Sequence, residues 1–281
     1  MTTATPLQSG REHRTELLAL TLAATTQLTD AWSHLATAQA ALLVRLGRIQ
    51  VSQHNTGSIA AARVALADFN RAVGDFERAA RAVAARWTAT DLPAAYRDGA
   101  LRALRTVGRP LATFTWSAHH QAAVTALSAQ YYADLITRIT EAVRRAQAFA
   151  RAARDQARTR EGVNSGELLA AHPLDVVVYQ GKARQPVRNW ARAALAWQAV
   201  TAANAGALNL AHYDLAVQWM EIADGPECGW TTHDDLDRAH GTIRSIDDCA
   251  AYPASHPGCI RQLIPRPDLT GRTDIASGDS P

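Results

Sequence analysis

Lysine is almost missing from this 281-residue chain: Lys182 is the only one, so its basic charge is nearly all arginine. Cysteine is scarce too, with three in all (Cys228, Cys249, Cys259), and an odd, small number excludes a disulfide framework as the source of stability. No run reaches the roughly 18–20 consecutive apolar residues of a membrane-spanning helix, so no membrane contact is expected. The opening MTTATPLQSGREHR lacks the basic-then-apolar order of a secretory leader, which predicts synthesis and first action in a cytoplasm. No glycine-rich phosphate loop, dinucleotide fingerprint, zincin helix or cysteine-protease spacing is present, and no fixed-length repeat. These absences favour a structural or adaptor protein over an enzyme, with no catalytic residues and no small-molecule substrate.

What is present is long, Ala- and Arg-rich helical pattern. Leu28, Trp32, Leu35, Leu42, Leu46 and Ile49 recur at helical spacing within a helix predicted over 15–50. Ser58 is placed to cap a second helix, whose residues Ile59, Ala62, Leu66, Phe69, Val73, Phe76, Ala80, Val83 and Trp87 form a heptad seam. Thr90-Asp91-Leu92-Pro93 reads as a stop and a fresh start, and Gly108-Arg109-Pro110 as a break. A helix from Leu111 to about residue 160 follows, its later turns carrying Arg144, Arg145, Arg151, Arg154, Arg158 and Arg160. Residues 1–162 hold 20 Arg against 12 acidic residues, a net +8, while residues 163–281 hold 9 basic against 14 acidic, a net −5. A basic helical half suits DNA or an acidic protein surface, and solvated arginine-rich faces account for the same pattern. His119 and His120 read as surface and core residues, because no carboxylate pattern accompanies them in sequence.

The turn-rich stretch 162–166 marks the expected domain boundary, giving a helical region 1–162, a module 163–267 and a disordered tail 268–281. Val176–Tyr179 reads as a strand, Pro186 opens a helix to about Ala205, and His212–Ala223 alternates as a second strand. Asp224-Gly225-Pro226 then turns the chain and presents Cys228. Thr232 is placed to cap a short helix ending at His240 and Gly241. Thr242–Arg244 reads as a strand, Ser245 with Asp248 as the cap of another short helix, and the chain from Gly258 to Ile264 as a returning strand. The fold class is thus α+β, predominantly α: a long-helix N-terminal region followed by a small α+β module with a Cys/His knot.

The layout of Asp224, Cys228, Gly241, Pro253, His256, Pro257, Cys259 and Pro265 resembles the phage head-morphogenesis family, the minor capsid proteins similar to protein F of phage Mu. The resemblance covers roughly residues 189–267. Two positions depart from the family pattern: Thr231 stands where a second cysteine is common, and Arg261 where a closing Cys-x-Cys would end. The resemblance implies a minor head component of a tailed phage, made in the host cytoplasm and carried in the virion, in the head interior or at the portal vertex. Its implied partners are the portal protein and capsid or scaffold proteins, with phage DNA, its packaging or its ejection, a further contact in some members. Two other readings stand beside it: a helical DNA-binding or scaffolding protein without a head role, and a non-toxic remnant of a module otherwise fused to effector enzymes.

The ligand-type residues of the window form a set of their own. Cys228 and His233 with His256 and Cys259 would make a Cys2His2 tetrahedron suited to structural zinc if the hairpin ends meet. A reduced Cys228–Cys259 pair without metal, and a disulfide formed in an oxidising medium, are the other two states these residues allow. Cys249 falls inside a helix and reads as a small buried apolar residue.

Overall fold

The structure, a computed structural model, describes residues 6–50, 56–159, 162–179, 183–225, 228, 239–256 and 258–278. Its helices are α1 (Pro6–Gln50), α2 (Thr56–Arg86), α3 (Leu92–Thr106), α4 (Ala118–Gln156), α5 (Ser165–Ala171), α6 (Val187–Asn209) and α7 (Ile246–Ala251). Its strands are β1 (Val176–Val178), β2 (Arg184–Pro186), β3 (Trp219–Ala223), β4 (Ile243–Ser245) and β5 (Gln262–Pro265). The class is α+β and predominantly α, with long helices first and a small sheet module last. The chain divides into two compact units, one of Met1–Ala23, Arg86–Tyr131 and Arg192–Pro281, the other of Ala24–Ala85 and Tyr132–Ala191. Both sides of the boundary expected at residue 162 fall within the second of these.

In that second unit the heptad seam of α2 buries Phe69, Val73, Phe76, Ala80 and Val83, while Ile59, its first member, is 55% exposed. The Trp32 ring meets Phe76 edge-on at 4.6 Å, and Phe69 meets Phe149 at 5.2 Å, the T-shaped arrangement aromatic quadrupoles favour. Arg145 is drawn inward by its Glu141 partner and donates to the carbonyls of Pro173 and Val176, at 2.6 and 3.1 Å. Gln39 donates to the His172 carbonyl, which stands just past the end of α5. β1 pairs antiparallel with β2, a strand the sequence reading did not anticipate because it held Pro186 to open a helix; Pro186 instead ends β2.

The first unit corrects four expectations. No stop occurs at Thr90–Pro93: the chain continues through a π-helical turn, Trp87–Asp91, in which Leu92 N–H bonds back to the Trp87 carbonyl. That wider turn shifts the ladder by one residue next to Pro93, which has no N–H to give. α4 begins at Ala118 rather than Leu111, because Phe114 and Trp116 pack their rings on His120 and, for Trp116, on Tyr96. The strand expected from His212 starts only at Trp219, since α6 runs on through a π-turn, Leu210–Asp214. The helix expected to end near Ala205 runs on to Asn209, and Gly206 lies where α6 crosses α3. A Cβ on it would sit 1.9 Å from the Tyr96 carbonyl oxygen, and one on Gly99 would sit 1.8 Å from that of Ala203. The two backbones touch there, which only glycine permits.

β3 is the middle strand of an antiparallel sheet ordered β4-β3-β5, with Met220 opposite both Arg244 and Pro265. The Ser245 hydroxyl caps α7 by accepting from Asp248 N–H, as its position predicts. Met220, Ile222, Leu263 and Cys249 form the core beneath the sheet. The expected disordered tail instead folds back along this sheet up to residue 278. Pro267–Leu269 forms a 3-10 turn with Leu269 buried, Ser277 accepts from Ser245 N–H, and Gly278 N–H donates to the Ile243 carbonyl at 2.8 Å. Pairing of these backbone groups outweighs the polar composition that suggested disorder.

Candidate functional site

The three-stranded sheet brings together chain segments that are far apart in sequence. β3 ends at Ala223, and the Asp224-Gly225 turn directs the chain to Cys228, whose N–H bonds to the Gly225 carbonyl at 3.0 Å. From the other side, the segment leading into β5 makes a tight turn in which Cys259 N–H donates to the His256 carbonyl at 2.8 Å. Asn204, buried on α6, fastens that segment at two points, donating to the carbonyls of Pro253 and Arg261 at 2.7 and 2.8 Å. The result is a cluster in which Cys228 Sγ lies 3.5 Å from Cys259 Sγ, 3.4 Å from His256 Nε2 and 3.3 Å from Ser255 Oγ.

Arg261 and Asp224 form the base of this cluster. Both are buried; Arg261 Nε and Nη2 each reach Asp224 Oδ2 at 2.9 Å, and Nη1 donates to the Tyr252 carbonyl. Oδ1 of the same carboxylate is buried and accepts no hydrogen bond among the described residues. Burial raises the Asp224 carboxyl above its ordinary value, against the pull of the Arg261 charge. His240 Nδ1 accepts from the N–H groups of Asp224 and Gly225 at 3.2 and 3.0 Å. Since that nitrogen accepts, its 3.8 Å approach to Asp224 Oδ1 is a contact between two acceptors and not an ion pair.

The two thiols are shifted in opposite directions. Cys259 is held below the usual thiol value by the hydrogen bond from Cys228, helped by Ser255 and by the Arg261 N–H at 3.3 Å. Cys228, as the donor to Cys259 and half-buried, is pushed up. Cys249 stands apart in α7, where burial pushes it up to about 12.

Of the residues singled out in sequence, Asp224, Cys228, His256 and Cys259 converge. The ligand atoms of Asp224, Cys228 and Cys259 all lie within 4.8 Å of one another, close enough to hold a metal ion. Gly241 adopts φ +76° at the turn into β4, its N–H bonded to the Ile222 carbonyl. Pro253 follows α7 and offers its carbonyl to Asn204, and Pro265 ends β5 opposite Met220. His233, Pro257 and the short helix capped by Thr232 lie outside the described residues. The sequence reading missed Asn204, Ser255 and His240 as site residues, and saw Arg261 only as a missing cysteine. No local pattern marks them, because each acts across the fold.

A second polar cluster also escaped it. His120, fully buried, contacts Tyr96 Oη through Nδ1 at 2.8 Å and Asp214 through Nε2 at 3.0 Å, and Asn209 donates to the same Tyr96 oxygen at 2.8 Å. The carboxylate that His120 lacks in sequence comes from 94 residues away. The phenol of Tyr96 is pushed up to about 12 by burial, so it keeps its proton within the hydrogen-bonded chain Asn209–Tyr96–His120–Asp214. Comparison of the chain with protein-family models, with curated proteins and with solved structures finds no match.

Proposed function

We propose that this chain is a minor capsid protein that acts in head morphogenesis of a tailed phage, at portal-proximal assembly, with a structural rather than catalytic role. The observation that carries the reading is the meeting of Cys228 with His256 and Cys259 at the end of β3 and the approach to β5. Those are the motif positions on which the resemblance to the Mu protein F-like family rests. A small module of short strands and turns held by such a knot is suited to docking, and its thiols are poorly suited to nucleophilic chemistry. Cys259 is buried, and the more accessible Cys228 holds its proton. The portal protein and the capsid or scaffold proteins are the proposed partners, and the virion the proposed location.

Structural zinc is the finer part of this reading. Zinc with bonds of about 2.3 Å to sulfur and 2.0–2.1 Å to nitrogen has tetrahedral edges of about 3.8 Å between sulfurs and about 3.6 Å between sulfur and nitrogen. The observed 3.5 and 3.4 Å separations lie close to those edges. The buried, unpaired Asp224 Oδ1 supplies a further oxygen donor. Cys228, Cys259 and Asp224 would hold the ion, with His256 beside Cys228, and the ion would staple the end of β3 to the segment before β5. Metal analysis of the purified protein tests this: about one zinc per chain, lost in Cys228→Ser and in Cys259→Ser, supports it. A metal-free wild type leaves a hydrogen-bonded thiol pair as the staple.

The head role is tested by co-expressing the chain with the portal and major capsid genes of its own genome and separating the particles by sedimentation. A few copies per particle, lost when both Cys228 and Cys259 are replaced by serine, are expected. A chain that never sediments with particles or portal overturns the assignment.

A further inference from the structure

The arginines of α4 are of two kinds. Arg138 and Arg145 are turned to the protein: Arg138 stacks over the Tyr179 ring at 4.5 Å, and Arg145 holds Glu141 and two backbone carbonyls. Arg144, Arg151, Arg154 and Arg158 are exposed. Arg144, Arg151 and Arg154, spaced seven and three residues apart, lie along one side of the helix over a rise of about 15 Å, and Arg158 follows in the turn just past its end. The helix dipole accounts for a cation only in the last turn, which leaves Arg144 and Arg151 without that explanation.

Acid pairing distinguishes this stripe from the later turns of α2. In the later turns of α2 Arg71 is matched with Asp68, Arg78 with Asp75 and Arg81 with Glu77. Along 144–158 the only acidic residue is Asp155, which pairs with Arg154, and no described carboxylate pairs with Arg144, Arg151 or Arg158. Aromatic side chains are also wanting. Phe149, the one aromatic residue in this stretch, is fully buried, so no ring is offered for a base to stack on. A single-stranded nucleic acid site needs such rings, whereas a backbone-tracking duplex site needs only spaced cations.

We propose that the exposed stripe of Arg144, Arg151 and Arg154 on α4, with Arg158 in the turn after it, binds the phosphate backbone of duplex DNA without reading its sequence. The helical part of the stripe is long enough to follow about four base pairs. Binding of this kind depends on counterion release, with a slope of log K against log salt of about −0.9 per phosphate neutralised. The assignment does not lean on the cysteine cluster, and its failure leaves the head-assembly reading intact.

The test is fluorescence anisotropy of the full chain with a labelled 30-base-pair mixed-sequence duplex, at 50 to 200 mM KCl. A salt slope of about −3 to −4 is expected, a weakening of roughly a hundredfold over that range. Each of Arg144→Gln and Arg151→Gln flattens the slope by about one unit, and the quadruple Arg→Gln variant abolishes most binding. A control variant, Arg71→Gln with Arg78→Gln, leaves affinity within about twofold, because those charges are already matched. Circular dichroism melting of every variant separates loss of contact from loss of fold. No binding at 50 mM KCl, equal binding by a folded quadruple variant, tighter binding of a single strand, or binding of polyglutamate in place of DNA each overturns the proposal.

Discussion

Arg261 directs two of its nitrogens at a single oxygen of Asp224, both at 2.9 Å, and leaves the other oxygen of that carboxylate buried without a donor. Removing either partner strands a charge in the interior, so Asp224→Ala and Arg261→Ala should each cost about 3–5 kcal/mol in urea unfolding. The double replacement Asp224→Leu with Arg261→Met should recover most of that loss, short of the bond to the Tyr252 carbonyl. If the double variant is as unstable as the sum of the singles, the two residues do not act as a pair.

Gly206 and Gly47 should respond to alanine in opposite directions. A Cβ at Gly206 meets the Tyr96 carbonyl oxygen at 1.9 Å, and that atom is backbone and cannot swing aside. Gly206→Ala should destabilise by at least about 3 kcal/mol, forcing α3 and α6 apart. Gly47, inside α1, has nothing within 4 Å of its would-be Cβ, so Gly47→Ala should gain about 0.5–1 kcal/mol. Thermal melting of the two variants reads both signs.

Alkaline pH should separate wild type from Tyr96→Phe. The Tyr96 phenol has a folded value of about 12 against 10 ordinarily, raised by burial. A folded value above the unfolded one means the contribution is whole below pH 10 and is lost as the pH climbs to 12, amounting to about 3 kcal/mol. At pH 7 the phenylalanine variant should be less stable by about 1–2 kcal/mol, having lost the Asn209 and His120 hydrogen bonds. Its deficit should shrink above pH 10, and stability curves that stay parallel to pH 12 would count against a buried phenol.

The three thiols should alkylate in a fixed order. Cys228 is half-buried, while Cys259 and Cys249 are buried, and burial pushes Cys249 up to about 12. Iodoacetamide at pH 7.5 should reach Cys228 first, slowly because its proton is held by the pair, and Cys249 only on unfolding. Peptide mass analysis gives the order directly; early labelling of Cys249 would contradict its place in the core.

Periodicity made the long helices legible, because burial of Phe69, Val73 and Phe76 imposes a repeat that needs no knowledge of the partner. The Ser245 cap was legible for a similar reason: it is satisfied within four residues. Residues 206–218 were misread because Gly206 looked like a terminator, and its real cause, the Tyr96 backbone, lies 110 positions earlier. In the site, Cys228, His256 and Cys259 could be picked out by residue type and spacing. The Arg261–Asp224 base, the Asn204 brace and the His240 acceptor could not, since each partnership spans 15 to 57 residues. The tail misled for the opposite reason: its composition is polar, but its backbone groups found partners on β4.

That return of the chain beside Ile243 has a bearing on self-association. An outer strand with bare amide and carbonyl groups is a template onto which a neighbouring molecule can zip, and Gly278 takes up one of those carbonyls, that of Ile243, with a turn of the same molecule. Residues 269–278 thus act as a selvedge, keeping one border of the sheet from fraying into intermolecular pairing at high local concentration.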